Sequence, residues 1–227
     1  FYFAGRNVLD ISEKNLVLNF FEEHKFDYCI NCAAYTAVDK AESERELSFL
    51  ANATGPAILA EVSGITGTKL IHISTDYVYN GTDHHPLKED SATGPVNVYG
   101  QSKLEGERLV RTENEKSLVI RTSWVYSSYG KNFVKTMMRL LSEREELNVV
   151  ADQQGCPTYA ADLADVIMAF IDADVGGSKL SGIYNYANNG VTTWYDFAVL
   201  IGELIGARCR INPVKSEAYP TPAVRPL

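Results

Sequence analysis

The segment TKLIHIST (residues 68–75) constrains the fold more than any other stretch of the chain. Its apolar residues run on instead of alternating with polar ones, the pattern of a parallel strand covered on both faces. Parallel neighbours need long crossovers, usually helices, so strands and helices should alternate along the sequence. They do. FYFAG (1–5), DYCINCAA (27–34) and SLVIRTSWVY (117–126) read as strands. SEKNLVLNFFEEHKF (12–26) has apolar residues at helical spacing, with Ser12 as the expected N-cap. A long helix is predicted over Glu44–Val62, and another carries Tyr99 and Lys103. Residues 76–95, rich in Gly, Asp, His and Pro, read as a loop. A helix near Asn132–Glu145, the strand ELNVVA (146–151) and the helix YAADLADVIMAFIDA (159–173) continue the series. The strand GIYNYAN (182–188) and the helix TWYDFAVLIGELIG (193–206) complete it. The alternation predicts an α/β fold with a mostly parallel sheet. Its rhythm loosens around Ser127, where a smaller lobe is expected to begin.

With 227 residues the chain has room for one large or two modest domains, and an apolar share of 45% can fill a sizeable core. The net charge of -8 argues against nucleic acid and anionic membrane as partners. No apolar run is long enough to span a bilayer. Cys29 and Cys32 stand in CxxC spacing, which could serve a redox pair or half a zinc site. They lie in an apolar strand, where residues three apart face opposite sides, and no second CxxC follows, so structural thiols are expected. Free thiols suit a reducing, cytoplasmic setting. Of the histidines, His24, His72, His84 and His85, the last two adjoin Asp83 and lie near Asp90. They read as solvated loop residues, no HExxH pattern supports a zinc site, and no metal is assigned.

The stretch NVYGQSKLEGE (97–107) places Tyr99 and Lys103 four residues apart, on one face of a helix. An ammonium held near a phenol favours phenolate and lowers its pKa from about 10 toward neutrality. Such a tyrosine can give a proton to a carbonyl oxygen, or take one from an alcohol, beside a hydride donor. The spacing alone also fits a solvated lysine next to a partly buried tyrosine. HISTDYVY adds Ser74, Thr75 and Asp76 where a buried strand runs out, the place where open α/β sheets gather ligands. Thr75 could equally cap a turn there. Ala33 and Ala34 end the preceding strand; they leave room for a cofactor against the backbone, or simply pack.

NCAAYTAVDKAE, STDYVYNG, PVNVYGQSKLEGE, RTSWVYSSYGKNFVKTM and ADQQGCPTYAADLA follow one another in order over most of the chain. Jointly they resemble the dTDP-4-dehydrorhamnose reductases of the extended short-chain dehydrogenase/reductase superfamily. The resemblance implies a Rossmann-like doubly wound parallel sheet with a smaller C-terminal substrate-binding lobe. Residues 1–127 would form the dinucleotide-binding domain, and 128–227 would add a late Rossmann element and the sugar-nucleotide lobe. It implies NAD(P)H-dependent reduction of the C4 ketone of dTDP-4-dehydro-L-rhamnose, with NADPH as cofactor and NADH open, in a cytoplasmic homodimer. Tyr99 then resembles the proton donor, and Lys103 the residue that holds the nicotinamide ribose and tunes Tyr99. Thr75 matches the hydroxyl partner of this triad and Asp76 a neighbouring substrate contact. Ala33, Ala34, Tyr35 and Thr36 match the cofactor-facing strand end, and Asp10 and Ile11 a loop near the adenine. Trp124 resembles an aromatic wall of the sugar-nucleotide site, and Arg225, with Pro226, the start of an Arg-Pro motif near the substrate.

Two departures stand out. The family opens with a strand and a Gly-rich turn that cradles the pyrophosphate, and no such turn joins strand to helix here. The start FYFAG has no Met and the end RPL stops short of the family's last helix, so the polypeptide is expected to extend both ways. Two rival readings remain. A sugar-nucleotide epimerase or dehydratase of the same superfamily is disfavoured because no Glu joins Asp76 after Thr75. A non-catalytic regulatory subunit, resembling that of methionine adenosyltransferase, is disfavoured by the intact Thr75, Tyr99 and Lys103.

Overall fold

The computed structural model describes residues 1–82 and 85–226; His84, read above as a solvated loop residue, and its neighbour Asp83 lie outside them. The elements run α1 (Lys14–His24), β1 (Tyr28–Asn31), α2 (Val38–Ala41), α3 (Arg45–Phe49) and α4 (Gly55–Thr66). Then come β2 (Lys69–Thr75), α5 (Val98–Glu113), β3 (Leu118–Thr122), β4 (Val125–Tyr126) and α6 (Phe133–Glu143). After β5 (Glu146–Val150), β6 (Gln154–Gly155) and β7 (Thr158–Tyr159) follow α7 (Ala160–Ala173) and β8 (Gly182–Asn185). The chain closes with β9 (Thr192–Thr193), α8 (Trp194–Leu204) and β10 (Arg210–Val214). Two compact units result. The first comprises Phe1–Arg121, Phe170–Asn185 and Pro222–Pro226, the second Thr122–Ala169 and Tyr186–Thr221.

The first unit holds a four-stranded sheet in the order β1-β2-β3-β8, with β1 parallel to β2 and β3 parallel to β8. Every residue of β3 is buried, as a strand covered on both faces requires. Val17 and Phe21 of α1, Leu59 and Val62 of α4, Leu70 of β2, Val110 of α5 and Val119 of β3 meet in one core. Each such side chain contributes about 1.5–3 kcal/mol by leaving water. In the second unit Met137 and Leu141 of α6, Val149 of β5 and Ala198 and Ile201 of α8 form a separate core. There β5 pairs parallel with β10, β4 parallel with β7, and β6 antiparallel with β9. No helix among the described residues is long and apolar enough to cross a membrane.

Four local expectations change. FYFAG forms no strand: β-prone side chains need a ladder partner, and here Tyr2 packs instead on Phe20, His24 and Phe26. Ser12 does not cap α1. Its N–H and hydroxyl both donate to Asp10 Oδ1, so it closes a turn before the helix, and the N-cap position falls to Glu13. The long helix predicted over 44–62 is interrupted by a π-turn at Leu50–Thr54. SLVIRTSWVY splits into β3 and β4 at Trp124, whose φ of 47° is incompatible with a strand.

Candidate active site

Helix α5 begins where Asn97 Oδ1 accepts the N–H of Gly100 at 2.8 Å, a side-chain N-cap. From that start Tyr99, Lys103 and Glu107 fall at intervals of four and share one face. Gly106 faces away from solvent against the π-turn, where a Cβ would collide with the Asn52 carbonyl, so only glycine lets the helix come this close. The π-turn puts the Asn52 side chain to use. It accepts the N–H of Tyr35 at 2.7 Å, and its Nδ2 reaches the Tyr35 carbonyl and the Ser102 hydroxyl, both at 3.0 Å. The segment after β1 is thereby fixed beside α5, a common use of such an insertion near a functional site.

Thr75 is the last residue of β2. Its hydroxyl donates to Asp76 Oδ1 at 3.0 Å and accepts the N–H of Tyr77 at 3.2 Å. The Tyr99 side chain lies beside Thr75 and packs edge-on against Tyr77 at 5.5 Å. Burial pushes the Tyr99 pKa above its ordinary value; Thr75 opposes this, and Asp76 and Tyr77 reinforce it. The expected downward shift from Lys103 is not found, because the ammonium points elsewhere: Lys103 Nζ donates to the Ile73 carbonyl at 2.6 Å. Lys103 is 2% exposed, and burial brings its pKa down to about 8 against the opposing pull of Glu107. Burial likewise raises the Asp76 carboxyl to about 6.

Beneath Lys103 lies a buried ion pair that the sequence reading missed. Arg121 Nε and Nη2 hold the Glu107 carboxylate at 3.0 and 2.7 Å, and Ser74 donates to the same carboxylate. Arg121 Nη1 donates to the Tyr79 hydroxyl at 2.8 Å. The available signal was an arginine inside an otherwise apolar strand, which demands a counter-ion.

The remaining site residues divide. Ala33, Ala34 and Thr36 lie exposed just past the end of β1, and Asn31 Oδ1 accepts the Ala33 N–H. Tyr35 turns its hydroxyl to Glu44 at 2.5 Å, which pushes its pKa up to about 12. Asp10 is held by Ser12, which keeps its carboxyl below the usual range, while Ile11 packs on Gly55. Arg225 pairs with Asp39 at 2.9 Å, and both charges bear on Tyr77 beside Tyr99. Trp124 belongs to the second unit, where its left-handed backbone costs about 1–2 kcal/mol. Cys29 and Cys32 are unbridged; burial raises both thiols, Cys29 to about 12. His72 is fully buried, bonds Asn31 through Nδ1, and is kept neutral by desolvation. A cavity of about 880 Å³ lies at the opposite ends of the strands, beside Tyr28, Lys69, Arg111 and Asp174, away from Thr75 and Tyr99.

These groups fit a nicotinamide dinucleotide. The Lys103 ammonium has three protons and one hydrogen-bond acceptor among the described residues, which leaves donors for a ribose diol. The exposed Ala33 and Ala34 leave the backbone open to close approach.

Over residues 1–227 the sequence matches the family described as the RmlD substrate binding domain. The chain belongs to this family. A dTDP-4-dehydrorhamnose reductase of Sinorhizobium fredii is 42% identical over 228 residues, covering 98% of this chain and 77% of that protein. One from Escherichia coli is 46% identical over 206 residues, covering 88% of this chain and 69% of its own. Among solved structures, a dTDP-4-dehydrorhamnose reductase from Bacillus anthracis in complex with NADP gives a TM-score of 0.95 at 41% identity. That match covers 99% of this chain and 78% of the other. The RmlD-family chain is thus an α/β protein with a Rossmann-like parallel sheet.

Proposed function

We propose that this chain reduces the C4 ketone of dTDP-4-dehydro-L-rhamnose to dTDP-L-rhamnose with NADPH. The observation that carries the reading is the meeting of Thr75, Tyr99 and Lys103 at the carboxyl end of β2, in a chain whose relatives bear that enzyme's name. Lys103 and the strand end at Ala33 and Ala34 would hold NADPH, which when bound would supply the hydride to C4. The chain's own residues place the two partners and handle the proton. Tyr99 holds its proton firmly because it is buried, and delivers it to the ketone oxygen as that oxygen gains charge. Thr75 lies beside the phenol, and its one hydroxyl proton, turning from Asp76 Oδ1 to the substrate, donates to the same oxygen. Lys103, as ammonium, holds the ribose and supplies positive charge near the transferring proton. Asp76 and Arg225 contact the sugar nucleotide, and Trp124 offers it an apolar face. Asp10, Ile11, Ala33, Ala34, Tyr35 and Thr36 border the dinucleotide. Support for a homodimer in the cytoplasm comes from the family resemblance and, for the compartment, from the unbridged thiols.

The test is steady-state turnover of the full-length protein on dTDP-4-dehydro-L-rhamnose with NADPH. Tyr99→Phe should lower kcat by about 10²- to 10⁴-fold, the span for losing a positioned acid. KM for the sugar should barely move. A Tyr99→Phe protein that turns over near the wild-type rate would remove Tyr99 as donor. Failure of the wild type to consume this sugar would remove the substrate.

A further inference from the structure

The second unit contains an arrangement around Trp124 that a wall residue alone does not require. The chain has two tryptophans, and they stack on each other: the rings of Trp124 and Trp194 lie 3.4 Å apart between centroids and within 8° of parallel. The stack is built by backbone register. Gly155 of β6 pairs with Thr192 of β9, and Gln154 with Thr193, which brings Trp194 beside Gln153. Trp194 Nε1 donates to Gln153 Oε1 at 3.2 Å, and Phe133 packs on Trp194 at 4.5 Å. Thr193 caps α8 through the N–H of Asp196, so Trp194 starts a fixed helix.

Trp124 is gripped on its other attachments as well. Its carbonyl accepts the N–H of Thr158 at 3.3 Å, and the preceding Ser123 hydroxyl donates to the Cys156 carbonyl at 2.6 Å. Gly155 lies against the indole so closely that a Cβ there would come within 2.6–2.7 Å of Cζ2 and Nε1. A half-buried indole in a left-handed backbone conformation is an outlier that its surroundings must hold in place. Trp194 covers one face of Trp124, so a ligand cannot use that face.

We infer that Trp194 and Gly155 are positioning residues for the sugar-nucleotide wall: Trp194 sets the plane of the Trp124 indole by stacking on it, and Gly155 leaves the space that plane needs. The inference rests on the reading that Trp124 contacts the sugar nucleotide. A residue that orients a binding surface used equally in ground and transition states changes KM and leaves kcat alone.

The test joins kinetics to fluorine NMR of full-length protein labelled with fluorotryptophan. Two tryptophan signals are assigned by Trp124→Phe and Trp194→Phe. Trp194→Leu should shift the Trp124 signal, because the ring current of the stacked indole is gone. It should raise KM for the dTDP-sugar by about three- to tenfold, the scale of one aromatic pair. kcat and KM for NADPH should stay within about twofold. Trp194→Phe, which keeps a flat ring, should recover most of the affinity, and Gly155→Ala should raise the same KM. Should Trp194→Leu not fold, Trp194→Phe and Gly155→Ala decide the matter by the same readouts. A Trp124 signal that ignores Trp194 refutes the stack. A signal that shifts while KM for the sugar stays put refutes the positioning role. If Trp124→Ala itself leaves that KM unchanged, the underlying reading of Trp124 fails, whatever Trp194 does.

Discussion

Removing the Glu107 carboxylate should destabilise the protein more than any surface change. Its side chain is 2% exposed and that of Arg121 4% exposed, and the two share three hydrogen bonds of 2.7–3.1 Å. Glu107→Ala leaves the guanidinium buried without its counter-ion, a change that costs about 3–5 kcal/mol. For a chain of this length each kcal/mol lowers Tm by about 2–4 °C, so the fall should be about 6–20 °C. The double variant Glu107→Leu with Arg121→Met removes both charges and should regain most of that loss. Thermal melts of Glu107→Leu, Arg121→Met and the double variant form the cycle, read as a coupling energy. Glu107→Gln adds a functional arm. It keeps the shape but removes the charge that lifts the Lys103 pKa, so Lys103 should lose its proton at lower pH and the alkaline limb of kcat/KM should move down. A Glu107→Ala protein melting within about 2 °C of wild type, or single-variant losses that simply add, would refute the reasoning.

Asp76→Asn should raise Tm at pH 7 by removing a carboxylate whose burial lifts its pKa to about 6. Wild-type stability from this group is full below about 3.9 and lost as pH rises through 6, so the variant's advantage should be absent at about pH 4. Lys103→Met should lower turnover and weaken NADPH binding, yet raise Tm at pH 7. That advantage should fade between about 8 and 10.4, as the wild-type lysine loses its proton in the folded and then the unfolded state. Trp124→Ala should raise KM for the dTDP-sugar with NADPH affinity unchanged; a large fall in Tm with an unaltered KM would assign the indole to the core.

Helix α5 was readable because its logic is local. Tyr99 and Lys103 share a face by spacing alone, and TKLIHIST announces a buried strand whose end must carry Thr75. What escaped the sequence depends on distant parts of the chain. LANATGPA has helical periodicity, and nothing in it reveals that Asn52 will serve the backbone of Tyr35 and turn the helix into a π-turn. Glu107 looks like a solvated helix residue until Arg121, in a buried strand, is set opposite it. The stack of Trp124 on Trp194 follows from the pairing of β6 with β9, which no local pattern encodes. Ser12 was misread for a simpler reason: Asp10, two residues earlier, competes for the same turn and holds both of its donors.

In the proposed reduction, the same burial that separates Tyr99 from its expected pKa also bears on which group titrates near neutral pH. A ketone reduction needs a phenol that still carries its proton, and a tyrosine pushed above its ordinary pKa carries it throughout the neutral range. A lower pKa would make the phenol a stronger acid for this step, and it would also serve the reverse reaction, where the phenolate must take a proton from an alcohol. Lys103 is the group whose charge changes near working pH, since burial leaves it at about 8 while Glu107 keeps it from falling further. The buried pair of Glu107 and Arg121 therefore does more than fasten α5 to β2 and β3. By fixing a carboxylate one turn below Lys103, it opposes the burial that lowers the Lys103 pKa. A helix face that reads as Tyr, Lys and Glu at successive turns is in this sense one electrostatic unit: the proposed donor at its top, the cation in the middle, and beneath it the anchored anion that raises that cation's pKa.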